Sequence, residues 1–346
     1  MTEKRCAVDD PHAREHGGWA RFARPGLLFA TVAGLATAVW TIDTTGLAAI
    51  TGIVRRMGID GFVVYCLYSL LVFGLVGGAW LVASGGTVRR LWLFAWARLL
   101  REAAADLLPF SQIGGIVVGT RVLTARGMPG VLVYASLIAD LTTEMASQLL
   151  FTLFGVGIAA SMLLDDPQAA SLRLALFCGV LLIVAIVALA GSAPRWFPRV
   201  GHAIAARFLP RSIGTMDAVA TRLAALQAQR ARMGLSFVVN LAAWIASAAG
   251  AWLVLRLMTV EFSFWKTLSL ESLIFALRSV AFMIPGGIGV QEAGYVLVAP
   301  LFGLPPESAI ALALAKRLRD LAIGLPALLV WQVLEARALV GGSTKA

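Results

Sequence analysis

The sequence predicts an all-α polytopic membrane protein with about six transmembrane helices and two re-entrant, broken-helix hairpins in an inverted repeat. Three observations predict it. Of 346 residues, 59% are hydrophobic and only 14% charged, with a mean hydropathy of +0.84, whereas soluble domains carry about a quarter charged residues. Apolar runs long enough to cross about 30 Å of hydrocarbon recur along the chain. Lys and Arg, 29 against 19 acids, gather on alternate sides of those runs, as the positive-inside rule requires. This composition excludes a secreted mini-protein, collagen, a coiled coil or a disordered tail.

Residues 1–24 read as a cytoplasmic tail, and residues 25–336 as one transmembrane domain. The first span, 25–42, is uncharged and bounded by Arg24 and Asp43. No small-residue cleavage site ends it, so it reads as a retained anchor and not a signal peptide. Further spans are 62–85, 129–164, 174–191, 235–257 and roughly 309–331. The third carries Asp140, Glu144 and Gln148; the last carries Lys316, Arg317, Arg319 and Asp320. With a cytoplasmic N-terminus, 20 positive residues fall on cytoplasmic segments, including 89–126 and 195–232, five on the opposite face and four within apolar segments. Both termini, including the tail 337–346, are therefore placed on the cytoplasmic side of the membrane. Residues 195–233 read as amphipathic helices lying on anionic lipids at the cytoplasmic face. The basic charge is thus an orientation signal, and no nucleic-acid partner is expected. Three cysteines and three histidines lack ligand spacing, so no metal and no cofactor is expected.

Two apolar stretches, 107–122 and 279–298, hold a proline followed by closely spaced glycines. Proline removes a backbone donor and glycine disfavours helix, so each is expected to form two half-helices with a turn between. The first enters from the cytoplasmic side and the second from the opposite one. In lipid such a turn must face protein or a water-filled cavity. At an offset of 176 the chain matches itself: Pro109 with Pro285, Gly127 with Gly303, Pro129 with Pro305, and Glu144 with Asp320. The repeat units span about 91–164 and 267–336. Inverted repeats with discontinuous helices are a plan of secondary transporters, with the site near the midplane where the repeats meet.

Asp140 and Glu144 are four apart and share one helical face. Either one of them carries a proton, or basic partners from the other repeat, Arg278, Arg317 and Arg319, hold both; pairing is the favoured reading. Lys316 and Arg317 stand four and three residues before Asp320, which leaves part of the positive charge in that span uncompensated. Pro285, Gly286, Gly287 and Gly289 open a half-helix whose free amides, with nearby arginines, offer a site for phosphate or carboxylate. Glu292 in its first turn compensates the helix dipole or pairs with an arginine. No nucleophile elbow, zinc-protease or P-loop signature is present, so no catalytic residue is assigned.

These residues carry a resemblance. SQIGG, the Asp140/Glu144 span, PGGIGVQE and AKRLRDL resemble flippase-like membrane proteins related to the transmembrane region of lysylphosphatidylglycerol synthase, and most closely the hopanoid-biosynthesis-associated branch. It runs from about Gln112, itself a candidate substrate contact, to Leu334. The synthase's soluble aminoacyl-transfer domain has no counterpart in it. The resemblance implies lipid translocation. It matches Pro285, Gly286, Gly287, Gly289 and Glu292 to a family motif and Arg317 to a basic position. The expected function is a lipid transporter or flippase for an anionic or polyprenyl-phosphate-type lipid, with a hopanoid or its glycosylated derivative as second choice of cargo. Arg278, Arg317 and Arg319 are expected to hold phosphate, the amides of Gly287 and Gly289 to complete the site, and Asp140 or Glu144, with Asp320, to couple protons or form ion pairs. The rival expectation is an integral membrane enzyme of lipid or lipid-linked sugar synthesis, or a non-catalytic partner of a lipid biosynthetic complex.

Overall fold

Uninterrupted apolar sequence becomes uninterrupted helix, because in hydrocarbon every backbone polar group must be satisfied within the protein. The computed structural model describes residues 47–107, 111–163, 213–280 and 289–342. All regular elements among them are helical. α1 (Leu47–Ser84) bends at Gly58, where φ is 66°. A 3-10 turn (Val88–Arg90) leads to α2 (Leu91–Leu107), α3 (Ser111–Ala125) and α4 (Gly130–Leu163). α5 (Ile213–Gln227) packs on α4 and is followed by α6 (Arg230–Leu257). α7 (Phe264–Val280), α8 (Val290–Val298), a 3-10 turn (Ala299–Phe302) and α9 (Pro306–Gly342) complete the described chain.

Among the described residues, three helical segments are long and apolar enough to cross a membrane: Arg55–Ser84, Gly130–Ser161 and Arg230–Leu257. They coincide with the predicted spans 62–85, 129–164 and 235–257. The predicted spans 25–42 and 174–191, the tail 1–24, the end of the C-terminal tail and the part of 195–233 before residue 213 lie outside the described residues. The last predicted span lies within α9, which runs through Pro326 without ending.

The first broken hairpin differs from expectation. Gly114, Gly115 and Gly119 lie inside the single helix α3, which packs against α2; residues 108–110, with Pro109, lie outside the described residues. The hairpin is therefore α2 and α3. Gly115 and Gly119 serve contact and not a turn: a Cβ on Gly115 would run into the Arg101 carbonyl oxygen and one on Gly119 would stand 3.1 Å from Arg101 Cβ, whereas Gly114 faces open space. In the second stretch α7 is described to Val280 and α8 begins at Val290; residues 281–288, with Pro285, Gly286 and Gly287, lie outside the described residues.

The offset of 176 reaches into the backbone. Gly127 and Gly303 both take left-handed φ, 80° and 81°, which glycine adopts at no steric cost. Gly127 N–H donates to the Thr124 carbonyl at 3.0 Å and Met128 N–H to the Leu123 carbonyl at 3.3 Å; Gly303 to Pro300 and Leu304 to Ala299 repeat the pattern at 2.9 and 3.1 Å. α4 and α9 then start at equivalent positions, 130 and 306.

Among the described residues three apolar clusters hold the bundle, the smallest formed by Phe151, Ala248 and Leu268 of α4, α6 and α7. Trp80, Phe94, Leu100, Leu123 and Leu137 join α1 to α4, with Leu328 of α9. Tyr65, Leu255, Ile274, Tyr295 and Ile310 join α1, α6, α7, α8 and α9. Without a hydrophobic force between helices in lipid, close packing carries association. Gly77 shows how close: its Cβ would lie 2.4 Å from Ala95 Cα. Gly77→Ala is accordingly expected to cost about 1–3 kcal/mol by overpacking, seen as a lower melting temperature in detergent; an unchanged melt would show that α1 and α2 can part freely.

Candidate functional site

A cavity of about 380 Å³ opens inside the bundle, lined by side chains of α1, α2, α4, α6, α7 and α9. Its cationic groups are Arg98, Arg101, Arg278, Lys316 and Arg319, and its acids are Glu102, Asp106, Glu144 and Asp320. Tyr65, Tyr68, Trp244 and Phe275 add aromatic surface. The wall includes Met145, which is 61% exposed, so the cavity reaches the outside of the bundle beside α4. There Gln148 Nε2 of α4 donates to Ser279 Oγ of α7 at 2.7 Å.

α2 supplies the first charged group because Arg98, Arg101 and Glu102 recur at three- and four-residue spacing and so face one way. Arg98 and Arg101 are only 2% and 4% exposed. Arg98 Nη1 donates to Asp140 at 2.9 Å, Nη2 donates to Glu144, and Nε lies 3.0 Å from Glu102. Arg101 lies 3.7 Å from Asp140 and donates to Glu144 at 3.4 Å. Such multidentate pairing suits guanidinium, whose planar fork of donors matches carboxylate geometry. Asn240 of α6 donates to Thr143 at 3.2 Å beside the group.

Asp140 and Glu144 are thus paired as expected, but not with Arg278, Arg317 or Arg319. Their partners come from α2 of the same repeat unit. Two of the arginines assigned to the cytoplasmic face therefore sit inside the protein.

The other predicted bases also have partners. Arg278 donates to Asp106 at 2.9 Å. Arg317 donates to Glu292 at 3.3 Å, and Arg319 donates to Asp320. Lys316 donates to Glu271 of α7, which also accepts from Tyr295 of α8. The positive charge of α9 is compensated, contrary to expectation. Helices of opposite character achieve this in the two units: in the first, acids on the long helix α4 meet arginines of α2; in the second, Lys316 on the long helix α9 meets a glutamate of α7.

Of the predicted residues, the structure brings Glu144, Arg278, Arg319 and Asp320 to the cavity, while Asp140 lies directly behind Arg98. Arg317 and Glu292 form a pair away from its wall. Gly289 takes φ 80° as the cap of α8, and its N–H donates to Glu292 Oε2 at 2.8 Å. That amide is occupied by the helix's own glutamate and is not the free anion donor expected. The side chain of Gln112 lies outside those described. Arg98, Arg101, Glu102, Asp106 and Glu271 were not predicted. The helical spacing of the α2 charges is a signal that could have found them, as is a lone glutamate in the apolar stretch of α7.

The model of one known family, described as the lysylphosphatidylglycerol synthase TM region, matches residues 26–327. The chain belongs to this family. The matched part contains every residue that lines the cavity. No curated protein and no solved structure is similar enough to match. Membership in the lysylphosphatidylglycerol synthase TM region family, with the apolar helices, makes the chain a lipid-related membrane protein. Among the described residues no group of His, Cys, Asp and Glu could hold a metal ion.

Proposed function

We propose that this protein is a lipid transporter, which passes a phosphate-bearing head group through the cavity while the acyl chains stay in the bilayer. The observation that carries the reading is a cavity of about 380 Å³ lined by five cationic and four acidic side chains inside an apolar helical bundle. Charges within a membrane are expensive and mark substrate pathways. Here they face a space and not lipid. Each guanidinium is held by carboxylates that a phosphate can replace one bond at a time, so a head group exchanges partners without leaving a bare ion. The mouth between α4 and α7, closed by the Gln148–Ser279 hydrogen bond, offers a lateral way in.

The same turn before α4 and α9, and the exchanged charges of the two units, support the inverted-repeat plan, in which alternating access is rocking about a fixed site. The orientation with cytoplasmic termini in a bacterial inner membrane belongs to this proposal.

The test is reconstitution of the full chain in liposomes containing fluorescent lipids with phosphoglycerol, phosphoethanolamine or phosphocholine heads, followed by chemical quenching of the outer leaflet. Wild type is expected to move label across the bilayer. Ser247→Trp, which fills the cavity from α6, is expected to slow it about tenfold or more, a barrier rise of about 1.4 kcal/mol. No movement of any of the three lipids by wild type would sink the transport reading; equal rates in wild type and Ser247→Trp would sink the route through the cavity.

A further inference from the structure

α7, α8 and α9 bring together Glu271, Tyr295 and Lys316, of which only Lys316 lines the cavity. Glu271 and Tyr295 are 0% exposed and Lys316 5%. One carboxylate oxygen of Glu271 accepts from the Tyr295 hydroxyl and the other from the Lys316 ammonium. Lys316 Nζ also donates to Tyr295 Oη at 2.9 Å. The rings of Phe275 and Tyr295 flank the ammonium, with centroids at 5.3 and 5.5 Å.

This group differs in kind from the other buried carboxylates. Asp140 and Glu144 are held by Arg98, Asp106 by Arg278, Glu292 by Arg317 and Asp320 by Arg319. A guanidinium does not give up its proton in a protein. Glu271 alone among them is held by a lysine and a tyrosine, both of which can.

We propose that Glu271, Lys316 and Tyr295 form a proton-carrying site that couples proton movement to the passage of the lipid head group, an inference that rests on the transport function above. Within the ion pair the proton of Lys316 can pass to Glu271: an N–H bond breaks, an O–H bond forms, and two ions become two neutral groups with no change in total charge. A second proton, brought as hydronium through the cavity, binds the neutral amine of Lys316, releases a water molecule and leaves an ammonium beside a carboxylic acid. The site then carries one positive charge.

The surroundings make that charge depend on cargo. Arg278 on α7 and Arg319 on α9 oppose it, while Asp320 on α9, Asp106 on α2 and Glu144 on α4 favour it across the cavity. Tyr65 of α1 is a further titratable group acting on Tyr295, and α6 presents the uncharged Asn240 and Trp244. A phosphate drawn in by Arg278 and Arg319 adds negative charge next to Lys316 and favours the loaded state. By linkage, a loaded site favours the phosphate equally.

The experiment has two readouts on the full-length protein. In infrared difference spectra recorded while phosphatidylglycerol is titrated into the detergent-solubilised protein, wild type is expected to gain a carboxylic acid C=O band as the loaded state fills, a band that is absent from Glu271→Gln combined with Lys316→Met. That double variant removes both ions together and so leaves no lone buried charge. In vesicles carrying fluorescent phosphatidylglycerol, a gradient of about two pH units is expected to bias the label between leaflets by up to about 100-fold for one proton per lipid. Lys316→Arg keeps the charge but cannot release its proton, and in it and in the double variant the label that moves, at whatever rate, is expected to show no bias between leaflets. A silent infrared titration, a bias that survives in Lys316→Arg, or lipid movement indifferent to the gradient would each overturn the proton site and leave transport standing. No lipid movement in wild type would overturn transport and the coupling with it.

Discussion

Arg98→Met is expected to lower the stability of the folded protein by about 3–5 kcal/mol, because it removes one partner of a buried ion group and leaves the others uncompensated. Arg98 is 2% exposed, and Asp140, its partner at 2.9 Å, is 0% exposed. Once the guanidinium is gone, Asp140 and Glu144 share only Arg101, at 3.7 and 3.4 Å. Asp140 Oδ1 already has no hydrogen-bond partner, so nothing nearby takes over. The loss should appear as a lower melting temperature of the detergent-solubilised protein. Arg98→Met combined with Asp140→Asn leaves Glu144 with Arg101 and the third carboxylate, Glu102, at a 32% exposed position, and should recover part of the loss. A wild-type melt for Arg98→Met alone would show that these charges reach water and do not pin α2 to α4.

That ion group marks the line between what could be read from the sequence and what could not. Helices α4 and α6 were legible almost to the residue, since a long apolar run leaves the backbone one way to satisfy its polar groups in lipid. α2 was not. Its two arginines and its glutamate make it look like a cytoplasmic connection, because hydropathy charges each ion its own cost and ignores the neighbour that neutralises it. The neutralising partners stand some forty residues away, on α4. The repeat made the other unit an attractive source of partners for Asp140 and Glu144, yet the first hairpin, folded against α4, lies nearer.

Glycine was ambiguous for a different reason. Gly127 and Gly303 are turn residues with positive φ, whereas Gly77 and Gly115 are helical and allow backbones to meet. Composition cannot tell these uses apart. Pro109 and Pro285 lie outside the described residues. Register between repeats then placed the equivalent turns, because a left-handed glycine followed by a proline at the mouth of a long helix is a stringent local pattern.

Arg278→Gln is expected to slow lipid movement by about 10–100-fold while changing the melting temperature little. The two effects separate because of where the side chain stands. It is 26% exposed, on the cavity wall, and its pair with Asp106 at 2.9 Å is a partly hydrated one, worth about 0–1 kcal/mol to stability. A hydrogen bond from a charged donor to a phosphate is worth about 1.5–3 kcal/mol, and losing it on the way to the transition state gives the stated range of rates. Arg278→Lys should fall between, since it keeps the charge and loses the fork of donors. Arg317→Gln is the informative contrast. Arg317 holds the position that the family resemblance favours, yet its partner Glu292 keeps its bond to Gly289 without it, and neither residue lines the cavity. Its transport rate should stay within about threefold of wild type, a change of less than 1 kcal/mol. The reverse outcome, with Arg317→Gln inactive and Arg278→Gln normal, would move the path of the head group from the central cavity to the seam between α8 and α9.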